Sequence, residues 1–191
     1  MDNASDSLPQ SEPNTETAES DPDQRLDLDS VIQAGDWSAL GRVDSILARV
    51  SRTVCKHAGM PAAHCEVAIA LSDDAAVRRL NLQYRGKDKS TNVLSFPAPM
   101  PVGSGEGPLF LGDVVLAAET LADEADAASL PLADHFTHLV VHGILHLFGF
   151  DHDRDSDAEL MEKTEIAVLA DLGICDPYFN QQLEEAVDQP G

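Results

Sequence analysis

The sequence predicts an α+β domain with a small mixed sheet packed with helices. Four short runs rich in apolar and β-branched residues alternate with stretches whose apolar positions recur at helical spacing. The chain has 191 residues, of which 43% are hydrophobic and 24% charged. That suits one domain with a sizeable core plus some extra length. No apolar run approaches the roughly 18 residues of a membrane span.

Residues 1–24 are rich in Ser, Asp, Glu, Pro and Asn, with almost nothing to bury. Such a segment cannot offset its ordering entropy and reads as a disordered acidic tail. A folded domain over 25–180 and a short tail over 181–191 complete the expected organisation. "RLDLDSV" alternates apolar and polar residues as a first strand does. From Asp36 to His57, Leu40, Val43, Leu47, Val50 and Val54 form a helical stripe. Arg42, Arg49, Arg52 and Lys56 lie roughly opposite it, as a solvated face or a surface for phosphates. "CEVAIAL" reads as a buried strand, and "DDAAVRRLNLQYR" as a helix whose two leading aspartates suit its positive end. "TNVLSFP" and "GDVVLA" are two further strands around the Pro/Gly loop "APMPVGSGEGP". "AETLADEADA" is a short acidic helix, and a longer one spans about 131–148. Ser156 and Glu159 have capping-box spacing at the start of a last helix that ends at Gly173.

The net charge of −22 argues against a general nucleic-acid binder, but its distribution matters. Residues 1–30 hold nine Asp/Glu and one Arg, while Arg78, Arg79, Arg85, Lys87 and Lys89 crowd into twelve positions. With screening over about 8 Å, a local basic patch can outweigh the global sum. Cys55, Cys65 and Cys175 are odd in number, far apart and without a C-x-x-C, so they read as reduced thiols. The N-terminus has neither the apolar segment of a signal peptide nor the arginines of a transit peptide. Together these features point to the cytoplasm.

The chemistry concentrates in "HGILHLFGFDH", residues 142–152. On a helix His142 and His146 share one face, one turn apart. Gly149 can reverse the chain and bring His152 over them. Three neutral imidazoles leave a fourth position open, as catalytic zinc requires. The offsets match the metzincin pattern H-E-x-x-H-x-x-G-x-x-H in everything but the glutamate, whose place Gly143 takes. Gly143 thus stands either for tight packing or for room beside the metal, and the peptidase mechanism lacks its base. His138 extends the stripe as a fourth ligand, a support for the ligands or a substrate contact; Asp151 and Asp153 can orient an imidazole or cap a turn. His135 reads as a packing or surface residue. "YRGKDKSTN" supplies positive charge: Arg85 has a planar fork suited to phosphate, and Lys87 and Lys89 attract a backbone.

Taken together, "YRGKDKSTNVLSFP", "LGDVVLA", "HGILHLFGFDH" and "DPY" resemble the YbeY family of ribosomal-RNA maturation endoribonucleases, over roughly residues 26–179. The resemblance implies a four-stranded mixed sheet with the metal helix beneath it. It implies one metal ion, zinc, on His142, His146 and His152, with Arg85 the residue most important beyond the ligands. The implied activity is that of a hydrolase-class endoribonuclease cleaving single-stranded RNA, with water or the ribose 2′-hydroxyl as the attacking group, in maturation of the small-subunit ribosomal RNA 3′ end and in ribosome quality control. The implied partners are the small ribosomal subunit and its assembly factors. Two other readings remain at this point: a ribosome-assembly factor whose zinc is purely structural, and a metallopeptidase drawing its base from Glu119 or Glu159.

Overall fold

The computed structural model describes residues 26–58, 63–99 and 107–179. The expected tails over 1–24 and 181–191 lie outside them, as does most of the Pro/Gly loop. Four strands, β1 (Leu26–Ile32), β2 (Cys65–Ser72), β3 (Val93–Pro97) and β4 (Leu109–Ala117), form one sheet in the order β1-β2-β4-β3. β1 and β4 run parallel to β2, and β3 is an antiparallel edge strand on β4. The sheet is therefore mixed and the domain α+β. Five helices accompany it: α1 (Val43–His57), α2 (Asp74–Arg85), α3 (Ala118–Ala127), α4 (Leu132–Leu147) and α5 (Asp155–Asp171).

Period-two alternation along the central strands sends side chains to two different cores. Val67, Ile69, Leu71, Val114 and Leu116 face the larger one, shared with α1, α4 and α5. Ala70, Leu94, Val115 and Ala117 face a smaller one, sealed by Val77 of α2. The histidine-bearing helix α4 lies in the larger core and buries Phe136, Val140, Val141, Ile144 and Leu145 completely. Each such side chain contributes about 1.5–3 kcal/mol, so α4 is anchored far more firmly than a surface helix.

Three local expectations are corrected. The helix expected from Asp36 is broken: a 3-10 turn covers Ser38–Leu40, and α1 begins only at Val43, after Gly41. β4 starts at Leu109 rather than Gly112: Leu109 and Phe110 pair with Cys65 and Glu66, and Leu111 is the extra residue of a bulge between the Glu66 and Val67 pairings. The Ser156–Glu159 capping box does not form, because α5 starts at Asp155 and Ser156 Oγ instead meets Asp157. Asp155 and Asp157 in the first turn complement the helix dipole in its place. No helix among the described residues is long and apolar enough to cross a membrane.

Candidate metal and RNA site

α4 presents His142 and His146 one turn apart, with ring centroids 4.6 Å from each other. The helix ends in a Schellman turn: Gly149 N–H donates to His146 O and Phe150 N–H to Leu145 O. Gly149 has φ +88°, a conformation that side-chain-bearing residues rarely adopt, and this reverses the chain. The reversal carries the His152 ring to 5.0 Å from His146 and 5.9 Å from His142. One ring nitrogen from each of the three lies within 4.8 Å of the others.

What sits behind these rings decides their chemistry. Glu165 of α5 has a side chain that is 0% exposed, and it accepts from His142 Nδ1 at 2.7 Å and His138 Nε2 at 3.2 Å. The Tyr178 hydroxyl also donates to it. Burial pushes this carboxyl up, but the bonds from His138 and His142, the His142 charge and the Tyr178 bond win and hold it at about 2. Glu165 is therefore an ionised acceptor, which fixes the His142 proton on Nδ1. His146 Nδ1 faces the Phe150 carbonyl oxygen at 3.1 Å and must likewise carry a proton. The two Nε2 atoms are then both lone pairs, yet they stand 3.1 Å apart. A hydrogen bond relieves that contact where one ring carries a second proton, and a bound metal ion relieves it otherwise. Burial, followed by neighbouring His142 and His152, lowers the His146 pKa and disfavours a proton there. A divalent metal fits better: tetrahedral bonds of about 2.0–2.1 Å from imidazole nitrogens need ligand atoms a little over 3 Å apart.

The other singled-out residues divide clearly. His138 is bound to Glu165 and stands outside the three-nitrogen cluster. His135 pairs with Glu124 at 2.9 Å. Asp151 caps its own turn by accepting from His152 N–H at 2.7 Å, and neither Asp151 nor Asp153 bonds the His152 ring. Glu119 accepts from the Asp74 backbone at the start of α2, and Glu159 pairs with Lys163 on the surface. Both carboxylates offered for a peptidase are thus engaged in other contacts.

Gly143 answers the question of the missing glutamate. A Cβ there would lie 2.7 Å from Val114 Cγ1 and 3.2 Å from Ser95 Oγ. Position 143 points into the sheet, where Ser95 Oγ donates to the Gly143 carbonyl. A glutamate at this position could not reach a metal and would collide with β4. The tight-packing reading of this glycine holds, and the room-for-substrate reading does not.

Arg85 is the last residue of α2, capped by Gly86, and Lys87 and Lys89 follow in an exposed loop. Buried Asn81 folds that loop back: its side-chain Nδ2 donates to Lys89 O at 2.8 Å, and its backbone carbonyl accepts from Lys87 N–H. Arg78 is tied to Asp88 by two bonds, at 2.7 and 3.0 Å. Arg85, Lys87 and Lys89 form no ion pair with any described residue. The histidines and the basic residues do not touch. They approach the edge strand β3 from opposite faces: Ser95 meets α4, whereas Phe96 meets Tyr84 of α2. On α1, Arg49 is occupied with the Leu172 carbonyl at the end of α5, which narrows the supposed phosphate face there. All three cysteines are free thiols.

Glu165 and its contact to Tyr178 did not emerge from the sequence reading. A signal existed, however. Met161, Val168, Leu169 and Leu172 form the buried stripe of α5 and its cap, and Glu165 lies on that stripe one turn after Met161. A carboxylate within an apolar stripe requires a partner.

Residues 36–173 match the family model described as Endoribonuclease YbeY. The chain is 46% identical over 157 residues to the Endoribonuclease YbeY of Rhodopseudomonas palustris strain BisB5, covering 79% of this chain and 80% of that protein. It is 44% identical over 163 residues to the protein of the same name from Rhizobium meliloti strain 1021, covering 82% and 96%. The solution structure of TM1509 from Thermotoga maritima is 21% identical, with a TM-score of 0.48 over 87% of this chain and 98% of that one.

Proposed function

The chain belongs to the YbeY family of endoribonucleases, and from that premise we propose that it is a single-strand-specific, metal-dependent endoribonuclease of the cytoplasm. Its substrate would be ribosomal RNA at the 3′ end of the small-subunit species, cut during maturation and quality control of the ribosome. The observation that carries the metal dependence is the convergence of His142 Nε2 and His146 Nε2 at 3.1 Å with both Nδ1 protons engaged elsewhere. His142, His146 and His152 would hold one zinc ion. When bound, such an ion supplies Lewis-acid stabilisation of phosphoryl charge and lowers the pKa of a coordinated water.

The remaining roles belong to the chain itself. Glu165 and the Phe150 carbonyl orient the first two imidazoles and keep their Nε2 atoms unprotonated. Arg85 comes to β3 from the face opposite the histidines, and there its planar fork would take the phosphate oxygens of a strand that crosses this edge to the metal, where negative charge grows as the phosphodiester is cut. Lys87 and Lys89, on a loop that Asn81 pins to α2, draw in the flanking backbone. His138 is held by Glu165, so no fourth protein ligand closes the set among the described residues. A metal held by three histidines alone would keep a position for water or substrate, which favours catalysis over a purely structural role. The net charge of −22 weakens affinity for free RNA without abolishing it, because the basic residues cluster at Arg78–Lys89. Placement by the small ribosomal subunit and its assembly factors would supply what the charge does not.

Labelled single-stranded RNA tests the proposal. Metal-reconstituted protein, freed of contaminating nucleases, is expected to cut it and to leave a matched duplex intact. His146→Ala, checked for folding, is expected to lose cutting. Equal cutting by both proteins would sink the reading.

A further inference from the structure

α2 carries a packing stripe that runs off the end of the sheet. Val77 is 0% exposed, and Leu80, one turn further, is half-buried on the smaller core. Tyr84, one more turn along, is 62% exposed. Its ring meets Phe96 of β3 edge to face, with centroids 5.1 Å apart and planes at 64°. Phe96 is its only ring contact among the described residues, most of its surface is open to solvent, and its hydroxyl bonds no described residue.

The surroundings supply a second, independent observation. Arg85 is the next residue, and Lys87 and Lys89 follow on the loop that Asn81 fixes, all three exposed and without an ion pair to any described residue. Of the nearby acids, Asp88 is neutralised by Arg78, while exposed Asp113 lies across from Phe96 on β4. Consecutive helical residues diverge by about 100°, so the Arg85 side chain leaves the end of α2 on the face adjoining that of the Tyr84 ring. An open aromatic face beside unpaired cations is how proteins hold single-stranded nucleic acid: charge follows the backbone while bases stack on the ring.

We propose that Tyr84, braced by Phe96, is a stacking platform for one nucleobase of the single-stranded RNA whose phosphates are held by Arg85, Lys87 and Lys89. This rests on the endoribonuclease reading above and adds to it a base contact on the far side of β3 from the histidines. The platform accepts any base, because every base has a π-face. It selects against duplex, whose bases are already stacked on one another.

The test uses the full-length, metal-loaded protein and a short, fluorescently labelled 2′-O-methyl oligouridine, checked for integrity after each titration. A matching oligonucleotide with abasic sites serves as the comparison. Tyr84→Ala is expected to weaken binding of the oligouridine by about 5- to 150-fold and to leave the weaker binding of the abasic strand nearly unchanged. Tyr84→Phe and Tyr84→Trp, which keep a ring, are expected to retain affinity, and the tryptophan fluorescence to be quenched on binding. Tyr84→Ala binding the oligouridine like the parent, while Arg85→Ala weakens it, would overturn the platform and leave the nuclease reading intact. Equal loss on both strands would also overturn it, since the ring would then act without a base. Failure of the parent to bind either strand would remove the platform together with the reading beneath it.

Discussion

Replacing Glu165 with glutamine is expected to weaken binding of a divalent metal by about 10- to 100-fold, the usual consequence of losing a carboxylate that supports a ligating histidine. Glu165 accepts from three donors, His142 Nδ1, His138 Nε2 and the Tyr178 hydroxyl. An amide has one acceptor oxygen and a donor NH2, so at least one of those donors would face another donor. His142 would be driven toward the tautomer with its proton on Nε2, which blocks the lone pair a metal needs. Competition against a chromophoric chelator measures the loss, on samples whose folding has first been matched by circular dichroism. Tyr178→Phe serves as the graded control, since it removes one donor and keeps the Glu165–His142 bond. Affinity of Glu165→Gln equal to the parent's would show that the carboxylate does not orient the site.

The same residue gives the metal-free protein a defined response to acid. Hydrogen bonds hold the Glu165 pKa at about 2, against an ordinary 4.5. Because the folded value is depressed, its stabilisation is complete above about pH 4.5 and is lost as the pH falls toward 2. The linked contribution is at most about 3 kcal/mol. Denaturant titrations in chelator should show that decline in the parent and its absence in Glu165→Gln. Tyr178 stays a donor throughout, because burial and the neighbouring Glu165 carboxylate push its pKa up.

Arg85→Ala is expected to lower RNA cleavage by about 100- to 1,000-fold while leaving metal affinity and stability unchanged. The guanidinium is exposed at the end of α2 and bonds no described residue, so its removal disturbs no packing. Arg85→Lys should recover only part of the rate, because lysine restores charge without the fork. Each phosphate neutralised on a single strand contributes about −0.7 to the slope of log affinity against log salt. Contacts from Arg85, Lys87 and Lys89 therefore predict a slope near −2, and Arg85→Ala should make it shallower by about 0.7. A variant that cuts at the parent's rate would remove arginine from the mechanism.

The main architecture was legible because its signals are periodic. The alternation in "CEVAIAL" and the apolar run of α4 identify a buried strand and a buried helix without reference to tertiary contacts. His142, His146 and Gly149 were legible for the same reason: a four-residue spacing and a helix-ending glycine specify geometry locally. Glu165 was not, because its meaning depends on α5 packing behind α4, a contact between residues 23 positions apart. The direction in which Gly143 points also had to come from the fold, since spacing leaves open whether a glycine faces substrate or sheet. Helix ends misled where two local signals competed. The Ser156–Glu159 spacing suggested a cap, but α5 starts two residues earlier, at Asp155, with the aspartates on either side of Ser156 in its first turn.

The most direct measurement is a stoichiometric titration of metal-free protein with zinc, in which bound metal and the initial rate of single-stranded RNA cleavage are read from the same samples. The account predicts that both rise together and level off at one ion per chain, and that the folded state persists when a chelator removes the ion. Cleavage that does not follow occupancy would contradict it, as would full occupancy without cleavage of any single-stranded RNA.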